Sequence, residues 1–94
     1  MEYAWLKFPS QVLYAPETKG VYLLSEWASE NSIVYIGKAD SLHERLSQHP
    51  DPNNRCLNRK SIKYFSYEEC SNPDIREKEL IRKYNPVCND LLKD

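Results

Sequence analysis

The chain has 94 residues, a length that fits one domain with a modest hydrophobic core and leaves no room for a second. Its hydrophobic content of 40% excludes disorder, and no apolar run approaches the ~20 residues of a membrane span. The net charge of −1 excludes strong DNA binding by charge alone, although residues 38–63 hold six basic and three acidic residues. We therefore expect one domain, residues 1–94, with a local basic region that can meet a polyanion.

The three cysteines, Cys56, Cys70 and Cys88, are odd in number and widely spaced, and no two of them form a CxxC pair. Free thiols in a reducing compartment are the predicted state, ahead of a metal site or a disulfide. The N-terminus also lacks a signal-peptide pattern. Both observations lead us to expect a cytoplasmic protein.

The first half of the chain predicts an arm followed by a β-hairpin. Residues 1–19 carry apolar side chains interrupted by prolines, which indicates an irregular or short-helical arm over part of the core. Residues 20–24 and 32–36 are rich in β-branched and aromatic residues, as strands are. About seven polar residues separate the two strands, which favours an antiparallel hairpin with a longer loop.

A turn and a capped helix follow the second strand. Gly37 suits a turn or a close backbone approach where that strand ends. Ser41 and Glu44 fit a capping box, which starts a helix that runs to about His49 and stops before Pro50. Arg45 and His49 are four residues apart, so we expect their side chains to project from one side of this helix.

The second half of the chain predicts a short basic helix over residues 53–60, a third strand over 62–67 and a last helix. Asn72 is the candidate N-cap of that helix, Pro73 takes its first position, and the helix ends near Tyr84. The elements together predict a small α/β domain with its core in residues 20–90.

Glu77 is the one acidic residue that the apolar pattern of the last helix directs inward. It precedes Leu80, Ile81 and Tyr84 by three, four and seven residues. A carboxylate turned toward a core needs a partner, because burying it alone costs several kcal/mol of folding free energy. A purely structural pairing with an arginine is the alternative, and helix geometry alone does not decide between the two.

The polar residues of these elements suit the cleavage of a phosphodiester. That reaction needs a base for water, a cation for the charge that develops on phosphorus and usually a metal ion. The sequence has no zinc-ligand spacing and no glycine-rich phosphate loop. The candidate residues are Tyr22, Tyr35, Lys38, Arg45, His49 and Glu77.

Gly20-Val21-Tyr22 and, thirteen residues later, Tyr35-Ile36-Gly37 resemble the paired signature of the GIY-YIG endonuclease family. The likeness continues through Lys38, Arg45, the helix around Glu77 and the run from Pro86 to Asn89, and covers residues 20–90. Each piece is weak alone, but their order and spacing together are specific. The resemblance implies a small three-stranded antiparallel sheet flanked by helices, and an endonuclease of nucleic acid, DNA before RNA, in repair, recombination or related processing.

The resemblance also implies roles for single residues. Glu77 would hold one Mg²⁺ or Mn²⁺, and Arg45 would steady the phosphate, for which a guanidinium fork suits better than an ammonium group. Tyr22 and Tyr35 would match the signature tyrosines, one of which orients or activates water. Further catalytic candidates are Lys38, which would assist a tyrosine, His49, where some members place a histidine, and Asn89, which would orient a strand or the glutamate helix.

Other interpretations remain open for several of these residues. Strand tyrosines are often core residues, His49 suits the charge at a helix C-terminus, and Asn89 suits a turn. A basic run is usually a solvated surface, although here it could contact phosphates; it comprises Arg55, Arg59, Lys60 and Lys63. A non-cleaving nucleic-acid or protein-binding module on the same fold is the alternative function. Since the 94 residues hold no separate DNA-recognition domain, we expect specificity to come from a protein partner or the substrate's shape.

Overall fold

The structure is a computed structural model that describes residues 3–48 and 55–89. Its β-strands are β1 (Leu6–Lys7), β2 (Gly20–Ser25), β3 (Ile33–Ala39) and β4 (Tyr64–Glu69). Its α-helices are α1 (Leu42–Ser47), α2 (Arg55–Asn58) and α3 (Pro73–Tyr84), and two 3-10 helices cover Val12–Tyr14 and Glu30–Ser32. The predicted mixed α/β class is therefore confirmed. Within these residues no helix has the length and apolar character that a bilayer crossing requires.

The sheet has four antiparallel strands in the order β1-β4-β2-β3, so the expectation of three strands was wrong. The additional strand is β1, in which Leu6 pairs with Phe65 and Lys7 pairs with Tyr64. Two residues are too few to show the alternation that marks a strand in a sequence. The predicted N-terminal arm thus joins the sheet instead of only covering the core.

The predicted hairpin is confirmed by the pairing of β2 with β3, in which Tyr22 lies opposite Gly37 and Leu24 opposite Tyr35. The strand β3 does not end at Gly37, as the sequence suggested, but continues to Ala39. Glycine is tolerated here because its hydrogen makes room for a neighbouring side chain. The loop of the hairpin, residues 26–32, contains the second 3-10 helix.

The sheet has an apolar layer on each side because successive side chains of a strand point to opposite faces. On one side of the sheet (the α1 face), the strand residues Tyr22, Leu24, Tyr35 and Phe65 pack with the helix residues Leu42, Leu46 and Leu57. On the other side (the α3 face), the strand residues Val21, Leu23, Ile33 and Ile36 pack with Leu80 of α3. The central strand β2 contributes to both layers and is buried along its whole length.

Local signals set the ends of α1 and α3. The Ser41 hydroxyl accepts a 3.3 Å hydrogen bond from the Glu44 amide, as a capping box requires. Pro73 takes the first turn of α3 as predicted, whereas the Asn72 side chain makes no capping hydrogen bond. The helix ends at Tyr84 because Asn85 adopts a left-handed conformation, with φ of 46°.

Arg76 of α3 packs against the sheet, although the apolar pattern of this helix, with Leu80, Ile81 and Tyr84 facing inward, predicts a solvated position for it. Its guanidinium donates to both carboxylate oxygens of Glu68 on β4, at 2.5 and 3.0 Å. The Tyr3 hydroxyl donates to the same carboxylate at 3.2 Å. Hydrogen bonding to Arg76 is the main reason why the pKa of Glu68 is lowered. The ion pair joins α3 to the sheet, a partnership that helix periodicity alone does not show.

Residues 86–89, called here the edge segment, close the open side of β3. The strand β3 lies at one edge of the sheet, so alternate backbone groups point away from β2. The Cys88 amide donates to the Val34 carbonyl at 2.8 Å. The Asn89 side chain accepts from the Ile36 amide and donates to the Ile36 carbonyl, both at 2.8 Å. One asparagine therefore satisfies both exposed backbone groups of Ile36.

A disulfide between Cys56 and Cys88 links α2 to the edge segment, so the expectation of free thiols was wrong for these two residues. Their Cα atoms are 5.3 Å apart, within the usual range for a disulfide. Cys70 is a free thiol, as expected. The bond is hidden in the sequence because the two cysteines are 32 positions apart and only the docking of the edge segment on β3 brings them together.

Candidate active site

The two glycines of the chain give two elements of the site room to approach. A Cβ atom on Gly37 would lie 2.4 Å from the phenol carbon and oxygen of Tyr22, and one on Gly20 would lie 2.3 Å from the Glu68 carbonyl oxygen. Neither position tolerates a side chain without movement of its neighbours. Gly37 therefore allows the Tyr22 ring to lie across β3, and Gly20 allows β2 to pass close to β4.

Tyr22, Tyr35 and Arg45 converge on the α1 face. The rings of the two tyrosines have centroids 6.1 Å apart, and Arg45 Nε donates to the Tyr22 hydroxyl at 3.4 Å. Arg45 also donates to the Gln48 side chain at 3.3 Å. Tyr22 is fully buried, and this burial, reinforced by Tyr35 and opposed by Arg45, raises its pKa. The Tyr22 hydroxyl is thus neutral near pH 7 and acts as a hydrogen-bond partner of the guanidinium.

Lys38 lies on the opposite face, toward the start of α3. It forms an exposed ion pair with Asp74, which raises the pKa of Lys38 and lowers that of Asp74. The charge of Lys38 also acts on Glu77 and favours its ionised form. Lys38 follows Gly37 in β3, so it sits beside the strand position that the Tyr22 ring crosses.

An open cavity of about 420 Å³ brings Lys38 and Arg45 to one surface. Asp40, Ser41, Glu44 and other residues of the turn between β3 and α1 complete its wall. A second cavity, of about 400 Å³, continues on the other side of Lys38 to Asp74. Lys38 is therefore the link between the arginine and tyrosine group and the acidic start of α3.

Glu77 fits a divalent cation by its chemistry. Its side chain is half-buried, and loss of hydration is the main reason why its pKa is raised. Over residues 3–48 and 55–89, no side chain forms a hydrogen bond or an ion pair with this carboxylate, although the charges of Lys38 and Asp74 act on it. Hard cations such as Mg²⁺ prefer carboxylate oxygens, and Mg²⁺ keeps several waters when one or two carboxylates hold it. The same residues contain no group of three or more potential metal ligands, so Glu77 would share the ion with water and substrate.

The remaining predicted residues are distributed around the sheet. Asn89 is buried on the edge of β3, where its whole amide group is bonded to Ile36. His49 lies outside the described residues. The predicted basic residues lie on α2 and in the segment that leads into β4; they are Arg55, Arg59, Lys60 and Lys63. All of them except the half-buried Lys60 are exposed.

Two residues of the site were missed by the sequence reasoning. Asp74 precedes Glu77 by three residues on α3, so helix spacing could have placed both carboxylates on one side of α3. Gln48 follows Arg45 by three residues and could have been found in the same way. Neither spacing reveals the partners themselves, since Lys38 reaches Asp74 only through the docking of α3 on β3.

The mixed α/β fold, with a lysine and an arginine at one open cavity, suits a small domain that acts on phosphate. A family model described as the GIY-YIG catalytic domain matches residues 18–91, which is most of the chain. The chain therefore belongs to the GIY-YIG family. The predictions of a GIY-YIG-type endonuclease domain and of its fold class are confirmed.

The chain is similar to one region of much longer relatives. UvrABC system protein C of Rickettsia prowazekii is 35% identical over 91 residues, which cover 90% of this chain and 14% of that protein. The protein of the same name from Treponema denticola is 36% identical over 94 residues, which cover 94% and 14%. The chain thus spans about a seventh of the length of these relatives.

The fold matches a solved domain along most of its length. The GIY-YIG N-terminal endonuclease domain of UvrC from Thermotoga maritima, bound to its catalytic divalent cation, magnesium, superposes with a TM-score of 0.69. The two are 28% identical, and the match covers 84% of this chain and 91% of that domain. A point mutant of that domain bound to its catalytic cation gives the same TM-score.

Proposed function

We propose that this chain is a metal-dependent endonuclease that hydrolyses phosphodiester bonds in DNA, in repair, recombination or related processing. The observation that carries the proposal is the contact of Arg45 with Tyr22 at a cavity that Lys38 also lines. Two cations at one open surface suit a phosphate, and the buried tyrosine holds one of them in place. Membership of a family described as catalytic, and the UvrC name of the relatives, support the same reaction.

Arg45 stabilises the negative charge that grows on the phosphate oxygens during attack. Its guanidinium is half-buried and is oriented by hydrogen bonds to Tyr22 and Gln48, so little reorganisation is needed during the reaction. Tyr22 is a positioning residue, because its hydroxyl is occupied by Arg45 and its ring is buried. Tyr35, whose ring lies beside that of Tyr22 and is slightly more exposed (8% against 0%), is the tyrosine that we assign to orienting the attacking water.

Glu77 holds a single Mg²⁺, with Mn²⁺ as an alternative ion. A divalent cation there would supply electrostatic stabilisation of the phosphate and of the leaving oxygen. Lys38 lines the cavity, and its positive charge favours the ionised form of Glu77, against the effect of burial on the pKa of that carboxyl. Asp74 holds the Lys38 ammonium group at the start of α3.

The substrate is DNA before RNA, with phosphate contacts from the basic residues of α2 and of the segment after it. Few phosphates can be neutralised by so few cations, so we expect weak, sequence-independent binding with a shallow dependence on salt. Specificity then comes from a protein partner or from the shape of the DNA. A cytoplasmic location stays part of the proposal. Because disulfides are rare in reducing compartments, the redox state of Cys56 and Cys88 in cells tests that location.

The test is cleavage of a nicked or branched DNA duplex with Mg²⁺, with Mn²⁺ and without a divalent ion. Arg45→Ala should lower the rate by about 10²–10³-fold, the usual cost of a lost charge-stabilising donor. Arg45→Lys should also be slow, since an ammonium group cannot form the bidentate contact. Arg82→Ala removes an exposed arginine of α3 and serves as the matched control.

Metal binding is measured separately by calorimetry. Glu77→Ala should abolish the binding of Mg²⁺, whereas Glu79→Ala, on the exposed side of the same helix, should retain it. Equal binding by wild type and Glu77→Ala would refute the metal site. Wild-type cleavage rates in Arg45→Lys would refute the role of the guanidinium, and a wild type that cuts no DNA under any of these conditions would refute the endonuclease.

A further inference from the structure

The hairpin loop between β2 and β3 presents an exposed tryptophan on a fixed backbone. The side chain of Trp27 is 61% exposed. Its main chain is held by two serine hydroxyls: Ser25 Oγ donates to the Trp27 carbonyl at 2.6 Å, and the Trp27 amide donates to Ser32 Oγ at 3.2 Å. The Ser32 hydroxyl also bonds to the Ser29 carbonyl at 3.0 Å. The loop is therefore ordered by contacts that do not involve the indole ring.

A cation lies over this ring. Lys63 Nζ is 4.8 Å from the centre of the Trp27 ring, within the range of a cation–π contact. The backbone of the segment before β4 is joined to the loop at two points, where the Lys63 amide donates to the Ser25 carbonyl and the Ser61 amide donates to Glu26. Lys63 is thereby placed beside the tryptophan, and Arg59 and Lys60 precede it in the same segment.

The acidic residues of the loop are engaged by other groups. The Glu26 carboxylate accepts from the Ser61 amide at 3.3 Å, and the Glu30 carboxylate accepts from the Tyr84 hydroxyl. These partners orient the two carboxylates, and the tryptophan ring itself is in contact with the cation of Lys63. An aromatic ring beside a cation suits a nucleic acid, since the tryptophan can stack on a base while the cation contacts a phosphate.

We propose that Trp27 and Lys63 form a nucleic-acid-binding surface that stacks an unpaired base. A base inside a duplex is covered on both faces, so the tryptophan selects single-stranded or distorted DNA. This inference rests on the proposed function only in the choice of DNA as the ligand. It goes beyond that function by naming a surface that is separate from Arg45 and Glu77 and that recognises the state of the substrate.

The position of the surface fits a DNA path that crosses the sheet. Ser25, which anchors the loop, lies three residues along β2 from Tyr22, about 10 Å at the usual rise of a strand. The cavity of Arg45 lies toward the other end of β2, where its wall residue Ala39 pairs with Gly20. A strand that contacts both places therefore has to run along the sheet.

The test is a binding titration in EDTA, where no cleavage occurs. The probes are a fluorescein-labelled single-stranded oligonucleotide and the blunt duplex of the same length and sequence. Trp27→Ala should weaken binding of the single strand by about 5- to 150-fold, the cost of one lost base stack, and leave duplex affinity within twofold. Trp27→Phe should retain most of the affinity, because a phenyl ring also stacks. Tyr14→Ala, which removes an equally exposed aromatic residue on the first 3-10 helix, is the matched control.

Lys63→Ala should weaken both probes and lower the salt dependence of binding by about one phosphate contact. The fold should survive all four substitutions, since the indole makes no hydrogen bond that the loop needs; thermal unfolding checks this. Unchanged single-strand affinity in Trp27→Ala would overturn the inference, and so would an equal loss for single strand and duplex. A wild type that binds the single strand but cuts no DNA would refute the proposed function and leave this inference intact.

Discussion

The edge segment gives the sharpest test of the structure, through Asn89→Ala. This change removes both hydrogen bonds to Ile36, whose amide and carbonyl are then left without a partner at a position where Asn89 itself is only 5% exposed. A buried polar group without a partner costs about 1–3 kcal/mol, so the two groups together predict a loss of about 2–6 kcal/mol in the free energy of unfolding. Such a loss is a large part of the stability of a small domain.

Urea unfolding of the metal-free protein measures this loss, and it separates a structural role of Asn89 from a catalytic one. Asn89→Asp is a second variant for the same measurement. Its carboxylate still accepts from the Ile36 amide but has no proton to donate to the Ile36 carbonyl. We expect it to be as unstable as Asn89→Ala at neutral pH and less so in acid. Asn31→Ala, an exposed asparagine, should stay within about 0.5 kcal/mol of wild type. If both substitutions of Asn89 were equally harmless, its amide would not be what holds β3.

Three further predictions concern the stability of the metal-free protein. Gly37→Ala should cost about 1–3 kcal/mol in urea unfolding, because its Cβ would lie 2.4 Å from the Tyr22 ring; a wild-type midpoint would contradict this close approach. Cys88→Ser should cost about 4 kcal/mol, from a closed loop of 32 residues, and the difference should vanish when wild type is reduced with a dithiol. The pKa of Glu68 is lowered in the folded state by Arg76, so its contribution is present above the unfolded pKa near 4.5 and is lost as pH falls through the folded value. Glu68→Gln should therefore flatten the acid limb of stability against pH, and an unchanged limb would show that the ion pair contributes nothing.

Local signals in the sequence were enough for most of the secondary structure. The β-branched runs around Tyr22 and Tyr35 predicted the hairpin, and Ser41 and Pro73 marked the starts of two helices, because strand composition and helix caps act within a few residues. The paired glycine and tyrosine signature then located the family. Gly37 was predicted to mark a turn or a close approach, but its partner could not be predicted, since the Tyr22 ring reaches it through the register of the hairpin.

Long-range pairings could not be predicted in the same way. The strand β1 depends on two residues that find a partner in β4, nearly sixty positions away in the sequence. The Cys56–Cys88 bond and the Arg76–Glu68 ion pair depend on how the edge segment and α3 dock on the sheet. Helix periodicity places Arg76 on the solvent side of α3. It does not show the ion pair, because a long side chain can reach from the polar face across to a strand.

The closure of β3 by residues 86–89 also bears on self-association. An uncovered edge strand offers a row of free amides and carbonyls to which a strand of another molecule can add, which is a common route to aggregation. In this chain the Val34 carbonyl is already bonded to Cys88, and the amide and carbonyl of Ile36 are bonded to Asn89. Release of that short segment would leave β3 as a template for a second copy. The same few residues that steady the strand carrying Tyr35 and Lys38 therefore also help to keep the molecules apart.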